Sequence, residues 1–224
     1  MEAVLFDWDG TLVDSLPALF QANVAVMAAF GLPFDETAYR HHYAPDWRAM
    51  YLDLGVPADR LDEANDRWLA AYEQGSASRL FDGVPEALER LARDGRRLGI
   101  VTAGHRSVVE PQLATLGLGG VFDIVVYGDD LPVHKPDPAP LRRALDVLGL
   151  AGRPAAAAYV GDVPDDMRMA RAVGTRGIGI VSLLSGEREL LAAGASEVAS
   201  TVAEWVDRAL GIMRIDRTPL SPAI

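Results

Sequence analysis

The sequence predicts an α/β fold: a doubly wound parallel sheet with an inserted α-helical cap domain. Three observations predict it. Short apolar runs without polar alternation recur along the chain, as suits strands covered on both faces. Stretches of helical period separate them, giving the rhythm of βαβ units. Between Ser15 and about Leu80 that rhythm stops and only helical spacing remains.

The first strand is expected at Ala3 to Phe6, and it ends on Asp7. The insertion follows, with apolar residues at helical spacing through Leu16 to Phe30 and Leu61 to Tyr72. Turn signals at Gly31-Leu32-Pro33 and Gly55-Val56-Pro57 divide it into several helices. Interrupting a sheet just after its first strand places a cap over the strand ends, with hinges near Asp14 and Phe81 to Val84. The expected division is a discontinuous core of residues 1–14 and 82–224 and a cap of residues 15–81. Further strands are expected at Leu98 to Val101, Val121 to Tyr127, Ala156 to Val160 and Gly177 to Val181. Amphipathic helices cover them at Pro85 to Asp94, Val108 to Leu116, Ala139 to Leu148, Asp166 to Val173, Glu187 to Ala193 and Val202 to Leu210. Met213 to Ile224, with two prolines and few large apolar groups, reads as a loosely held tail.

Composition narrows the function. A chain of 224 residues, half of them hydrophobic, can bury a substantial core. A formal net charge of -11 opposes binding along a nucleic-acid backbone or an anionic membrane surface. There is no cysteine, which excludes disulfides, thiolate zinc sites and a cysteine nucleophile. The N-terminus lacks the pattern of a signal peptide, and no segment reaches the roughly 18 apolar residues of a membrane span. The expectation is a cytoplasmic protein.

Two acidic constellations carry the chemistry. Asp7-Trp8-Asp9-Gly10 stands at the end of the first strand, and Gly10 permits a tight turn that exposes both carboxylates. The first carboxylate could attack an electrophile while the second handles a proton. Taken alone, an Asp-Gly turn that bonds only its own backbone explains the pattern equally well. Gly161-Asp162-Val163-Pro164-Asp165-Asp166 again crowds acids at a strand end. A helix N-terminus accounts for Asp165 and Asp166 through the macrodipole but leaves Asp162 unexplained. Taken with Asp7 and Asp9, it points to a hard-cation site suited to magnesium. Lys135, on a proline-rich loop, could offset repulsion among these carboxylates and orient an anion. Thr102 follows the second strand, and Ala103-Gly104 lead towards a helix N-terminus able to hold an anion, although a simple N-cap is the commoner role.

In this order, the four segments closely resemble the four signature motifs of the haloacid dehalogenase superfamily, whose core is Rossmann-like. The resemblance implies that Asp7 is a nucleophile forming an aspartyl-phosphate and that Asp9 is the general acid and base. It implies that Thr102 binds the phosphoryl group, that Lys135 bridges Asp7 and phosphate, and that Asp162 with Asp166 completes a magnesium site. The metal would also take the Asp7 carboxylate and the Asp9 backbone carbonyl. An acid two residues after the nucleophile separates phosphoryl-transfer members from the dehalogenases. Phe6 to Ser15 and the helical insertion look most like phosphoglycolate phosphatases and β-phosphoglucomutases.

The implied activity is hydrolysis of a small phosphorylated metabolite by a monomer or homodimer. The alternatives are a sugar phosphomutase and a non-catalytic sensor that kept the fold. Mutase relatives hold a second phosphate with basic cap residues. Here the insertion carries Arg40, Arg48, Arg60, Arg67 and Arg79 but no lysine. Arg48 is the candidate substrate-facing group, with Trp47 walling the pocket, although an Arg beside a Trp is commonly a packed surface pair.

Overall fold

The computed structural model describes residues 1–75 and 78–212, so the expected C-terminal tail lies outside the described residues. Strand β1 (Ala3–Phe6) is buried along its whole length. It leads into four helices, α1 (Leu16–Ala29), α2 (Glu36–His42), α3 (Trp47–Asp53) and α4 (Leu61–Gly75). The chain then returns through α5 (Val84–Arg93), β2 (Arg97–Val101), α6 (Arg106–Thr115), β3 (Ile124–Val126) and α7 (Ala139–Val147). It closes with β4 (Ala157–Gly161), α8 (Pro164–Val173), β5 (Arg176–Ile180), α9 (Glu187–Ala193), β6 (Glu197–Ala199) and α10 (Val202–Ala209).

All six strands run parallel in the order β3-β2-β1-β4-β5-β6. Because side chains alternate along a strand, β1 feeds two cores. Val4 and Phe6 join Leu98, Ile100 and Val160 beneath α5, α6 and α10. Ala3 and Leu5 join Val101 and Tyr159 beneath α7 and α8. Covering both faces is what makes the strands uniformly apolar in sequence.

Beyond shifts of a residue or two at several element ends, three differences from the sequence reading stand out. The third strand spans Ile124–Val126 rather than Val121 to Tyr127, because Asp123 ends the turn by accepting from Leu98 N through its side chain at 2.9 Å. Pro154–Ala156 forms a 3-10 turn, so β4 starts at Ala157. Strand β6 had no counterpart in the sequence reading: it is a half-buried edge strand whose Glu-Val-Ala shows no apolar run.

The helical segment builds its own core. Asp35 and Asp46 cap α2 and α3, accepting from Ala38 N at 2.8 Å and Arg48 N at 3.0 Å. Leu16, Val26, Met27, Tyr39 and Met50 cluster with Val163 and Leu184, which belong to the loops after β4 and β5. The segment therefore rests on the carboxyl rim of the sheet. Its two ends lie side by side: Val13 and Leu80 form an antiparallel bridge, Asp14 N donates to Arg79 O at 2.9 Å, and the Arg79 and Asp14 side chains pair.

Candidate active site

Strand order reverses direction on either side of β1, which makes the carboxyl ends of β1 and β4 the topological switch point. Asp7 directly follows β1, Asp162 follows β4 and Thr102 follows β2, so three of the four sequence motifs reach one crevice from neighbouring strands. Lys135 arrives from the loop between β3 and α7.

The first loop turns sharply because Trp8 O accepts from the N–H groups of both Leu12 and Val13 at 3.0 Å. Gly10 sits at φ 73°, where a side chain is strained. A Cβ there would also stand 2.5 Å from Asp162 Oδ2, so the turn and the acidic cluster demand the same glycine. Asp9 is fixed by Ser15, whose hydroxyl donates to its Oδ1 at 2.6 Å. Burial raises the Asp9 carboxyl above the usual range, against the opposing effects of Ser15 and Lys135.

The charged centre is buried. Lys135 Nζ lies 2.7 Å from Asp7 Oδ1 and 2.9 Å from Asp166 Oδ1, with all three side chains buried. Burial works to lower the lysine, but Asp166 and Asp7 outweigh it and hold Lys135 above its ordinary value. Asp166 is satisfied on both oxygens: Oδ2 accepts from the backbone N–H of Asp162 and Val163, and Oδ1 takes Lys135 and the Tyr159 hydroxyl. Bonding back to Val163, it also closes the start of α8, where Pro164 occupies the first turn. Asp162 is different. Its Oδ1 accepts from Thr11, but its buried Oδ2 has no hydrogen-bond partner. Burial, then the charges of Asp7 and Asp166, push Asp162 well up. Burial likewise raises Asp7 to about 7, against the pull of Lys135.

An unpartnered buried carboxylate oxygen beside a second carboxylate is the donor set a hard divalent cation takes. Ligand atoms from Asp7, Asp162 and Asp166 all lie within 4.8 Å of one another. The residues present therefore fit a metal.

Opposite this cluster, Thr102 Oγ1 accepts from Gly104 N at 2.9 Å and so shapes the loop after β2. A Cβ on Gly104 would lie 3.3 Å from Thr102 Oγ1 and 3.6 Å from Asp9 Oδ2, which locates all three around one small space. Asp9, Ala103 and Gly104 form the floor of a cavity of about 270 Å³ whose walls come largely from the helical segment. Trp47 lines it. Arg48 is exposed and does not: its guanidinium lies 4.3 Å from the Trp47 ring centroid. The first N–H of α6 is not free, since Arg106 N donates to Asp129 at 2.9 Å.

The comparisons with known proteins agree with this geometry. Residues 4–180 match the haloacid dehalogenase-like hydrolase family. The chain belongs to that family. A phosphoglycolate phosphatase of Pectobacterium atrosepticum is 35% identical over 80% of this chain and 80% of its own. An N-acetylmuramic acid 6-phosphate phosphatase of Pseudomonas aeruginosa is 33% identical over 79% of this chain and 80% of its own. Among solved structures, CbbY from Rhodobacter sphaeroides in complex with phosphate superposes with a TM-score of 0.73 at 26% identity, covering 91% of this chain and 96% of that one. Within the haloacid dehalogenase-like hydrolases, these relatives support a phosphatase. No helix among the described residues is long and apolar enough to cross a membrane.

Three residues of this hydrolase site went unnoticed in the sequence. Ser15 orients Asp9, Tyr159 reaches Asp166 from inside β4, and Gln112 bonds the indole of Trp8. A tyrosine in an otherwise aliphatic strand, Ala157 to Gly161, is the one available signal, because a buried hydroxyl needs a partner. Ser15 and Gln112 carry none.

Proposed function

We propose that this enzyme is a magnesium-dependent phosphomonoester hydrolase of small metabolites that works through an aspartyl-phosphate on Asp7. The observation that carries the reading is Lys135 Nζ held between Asp7 and Asp166 beside the unpartnered Asp162 Oδ2. That arrangement offers an anionic nucleophile together with the positive charge needed for a phosphate dianion to approach it. Residues 15–81 act as a cap over a core formed by 1–14 and 82–224.

Asp7 attacks phosphorus, the ester P–O bond breaks, and Asp9 gives its proton to the leaving oxygen. The raised Asp9 carboxyl suits an acid that must be protonated before the step. Water then attacks the aspartyl-phosphate with Asp9 taking its proton, releasing inorganic phosphate and free Asp7. Thr102 and the backbone of Ala103 and Gly104 hold phosphoryl oxygens, and Lys135 neutralises both Asp7 and the transferring group. The Asp7 and Asp162 carboxylates and the Asp9 backbone carbonyl would hold the magnesium. Asp166 would complete that site while fixing Lys135 and the loop that carries Asp162. When bound, magnesium supplies Lewis-acid polarisation of the phosphoryl oxygens. The chemistry needs only water and a divalent cation, and we assign it to the cytoplasm, where phosphorylated metabolites reside.

The test is phosphate release from a panel of phosphomonoesters with and without magnesium, with Asp7→Asn as the blank. Magnesium-dependent release that falls by at least about a thousandfold in the variant is expected. Release that survives in the variant rules out Asp7 as nucleophile. Isomerised product without net phosphate would favour a mutase instead.

A further inference from the structure

The cavity above Asp9 says what kind of leaving group the phosphatase takes. Its walls are aromatic: Tyr39, Tyr43, Trp47, Tyr51, Trp68 and Tyr72. Trp68 and Tyr72 stack with centroids 4.8 Å apart and planes 7° from parallel, so that one ring backs the other, and Trp47 meets Tyr51 edge-on. Asn23 and Asn65 add carboxamides. Burial, and then neighbouring charges that include Asp9, Asp7 and Asp162, push the Tyr39 and Tyr43 hydroxyls upward, so these groups are neutral donors.

Positive charge is what the walls lack. Among the described residues, no lysine or arginine lines the cavity, and His105 at its mouth is the single lining side chain able to become cationic. The arginines of the helical segment are engaged elsewhere. Arg40 pairs with Glu189, Arg60 and Arg67 with Glu63, and Arg79 with Asp14, while Arg48 stacks on Trp47 from an exposed position. A substrate whose leaving group carried a carboxylate or a second phosphate would have to bury that charge against aromatic rings, near Asp9, with His105 as the single side chain able to offset it. Such burial is strongly unfavourable. A neutral ring suits the cavity, because the C–H face of a sugar lies flat on aromatic carbon while its hydroxyls meet amides and tyrosines. At about 270 Å³ the cavity falls below the roughly 300–1,000 Å³ typical of drug-sized ligands. With a phosphoryl group on the floor, the remaining space suits a single sugar ring.

We propose that the substrate is the phosphomonoester of a neutral monosaccharide, seated against the stacked Trp68–Tyr72 pair, and not a small phosphorylated carboxylic acid. The inference rests on the phosphatase reading above, and the experiment separates the two. Phosphate release by the wild-type enzyme with magnesium is measured on glucose 6-phosphate, ribose 5-phosphate, 2-phosphoglycolate, uridine 5′-monophosphate and acetyl phosphate. Acetyl phosphate needs little from the cavity. A sugar phosphate should exceed 2-phosphoglycolate and the nucleotide by at least about tenfold in kcat/KM. Trp68→Ala should raise KM for that sugar phosphate about tenfold with a smaller change in kcat. Trp68→Phe, which keeps a flat face, should recover most of the KM. A higher kcat/KM for 2-phosphoglycolate or the nucleotide overturns the inference, as does an unmoved KM in Trp68→Ala. Turnover of acetyl phosphate without turnover of either sugar phosphate overturns it while leaving the phosphatase intact. No turnover of any compound, acetyl phosphate included, removes both.

Discussion

The indole nitrogen of Trp8 donates to Gln112 Oε1 at 2.8 Å, a bond between the residue separating the two aspartates and the middle of α6. The amide nitrogen of Gln112 continues to the Tyr72 hydroxyl at 2.8 Å and the Ser78 hydroxyl at 2.9 Å. One carboxamide thus joins the loop of Asp7 and Asp9 to the last turn of α4 and the returning chain. Gln112→Leu leaves the fully buried Trp8 N–H without an acceptor. An unsatisfied buried donor costs about 1–3 kcal/mol, equivalent to a fall in Tm of several degrees for a chain of this size. Thermal unfolding should show it, and an unchanged Tm would mean that the relay contributes no stability.

Gly10→Ala tests the crowding at the centre. The added Cβ meets Asp162 Oδ2 at 2.5 Å on a backbone at φ 73°, so either the turn or the carboxylate must move. Magnesium affinity, measured by calorimetry, should fall by at least about tenfold, a loss of roughly 1.4 kcal/mol. Wild-type affinity in the variant would remove Asp162 from the metal site.

Asp9→Asn separates the two half-reactions. The proton for the leaving oxygen and the base for water both disappear, and turnover should fall by about 10²–10⁴. With p-nitrophenyl phosphate, whose leaving group needs no proton, the first step survives and the second does not. Acid quenching after mixing should trap phosphate on the protein. Absence of trapped phosphate, with slow steady turnover, would assign Asp9 to the first step alone.

Stability should depend on pH through Asp7. Its carboxyl lies at about 7 in the folded chain against 3.8 unexposed to these surroundings, so the folded state binds the proton more tightly. The associated stability is present below the unfolded value and is lost as pH rises through about 7. The raised Asp162 acts with the same sign. The raised Lys135 loses its contribution only at higher, alkaline pH, outside this window. Metal-free protein should therefore melt at a lower temperature at pH 8 than at pH 6. Magnesium at the proposed site would compete with protons for the carboxylates and should raise Tm more at pH 8. An equal rise at both values would place the ion elsewhere.

The sheet was legible because its strands are buried on both faces, and the Ala3 to Phe6 run has no other use for four apolar residues in a row. The acidic site was legible because parallel sheets present their chemistry directly after a strand, so Asp7, Thr102 and Asp162 announce themselves by position. What failed to show was whatever depends on distant partners. Glu197–Ala199 becomes a strand only by pairing with β5. Gln112 reads as an ordinary polar residue on a helix until Trp8 and Tyr72 are placed beside it. Arg48 was the natural candidate for a substrate anion, yet nothing in a sequence tells which side of Trp47 a guanidinium takes.

The bridge between Val13 and Leu80 brings the departing and returning chains together as neighbouring threads. Everything between them is strung on a closed loop whose ends need not move when its contents change. A different helical block could be spliced in at Asp14 and Arg79 if it restored the Ser15 contact to Asp9 and the Tyr72 and Ser78 contacts to Gln112. Such a seam lets one reaction be redirected from one class of molecule to another by exchanging a cassette, and it marks where an engineer would cut.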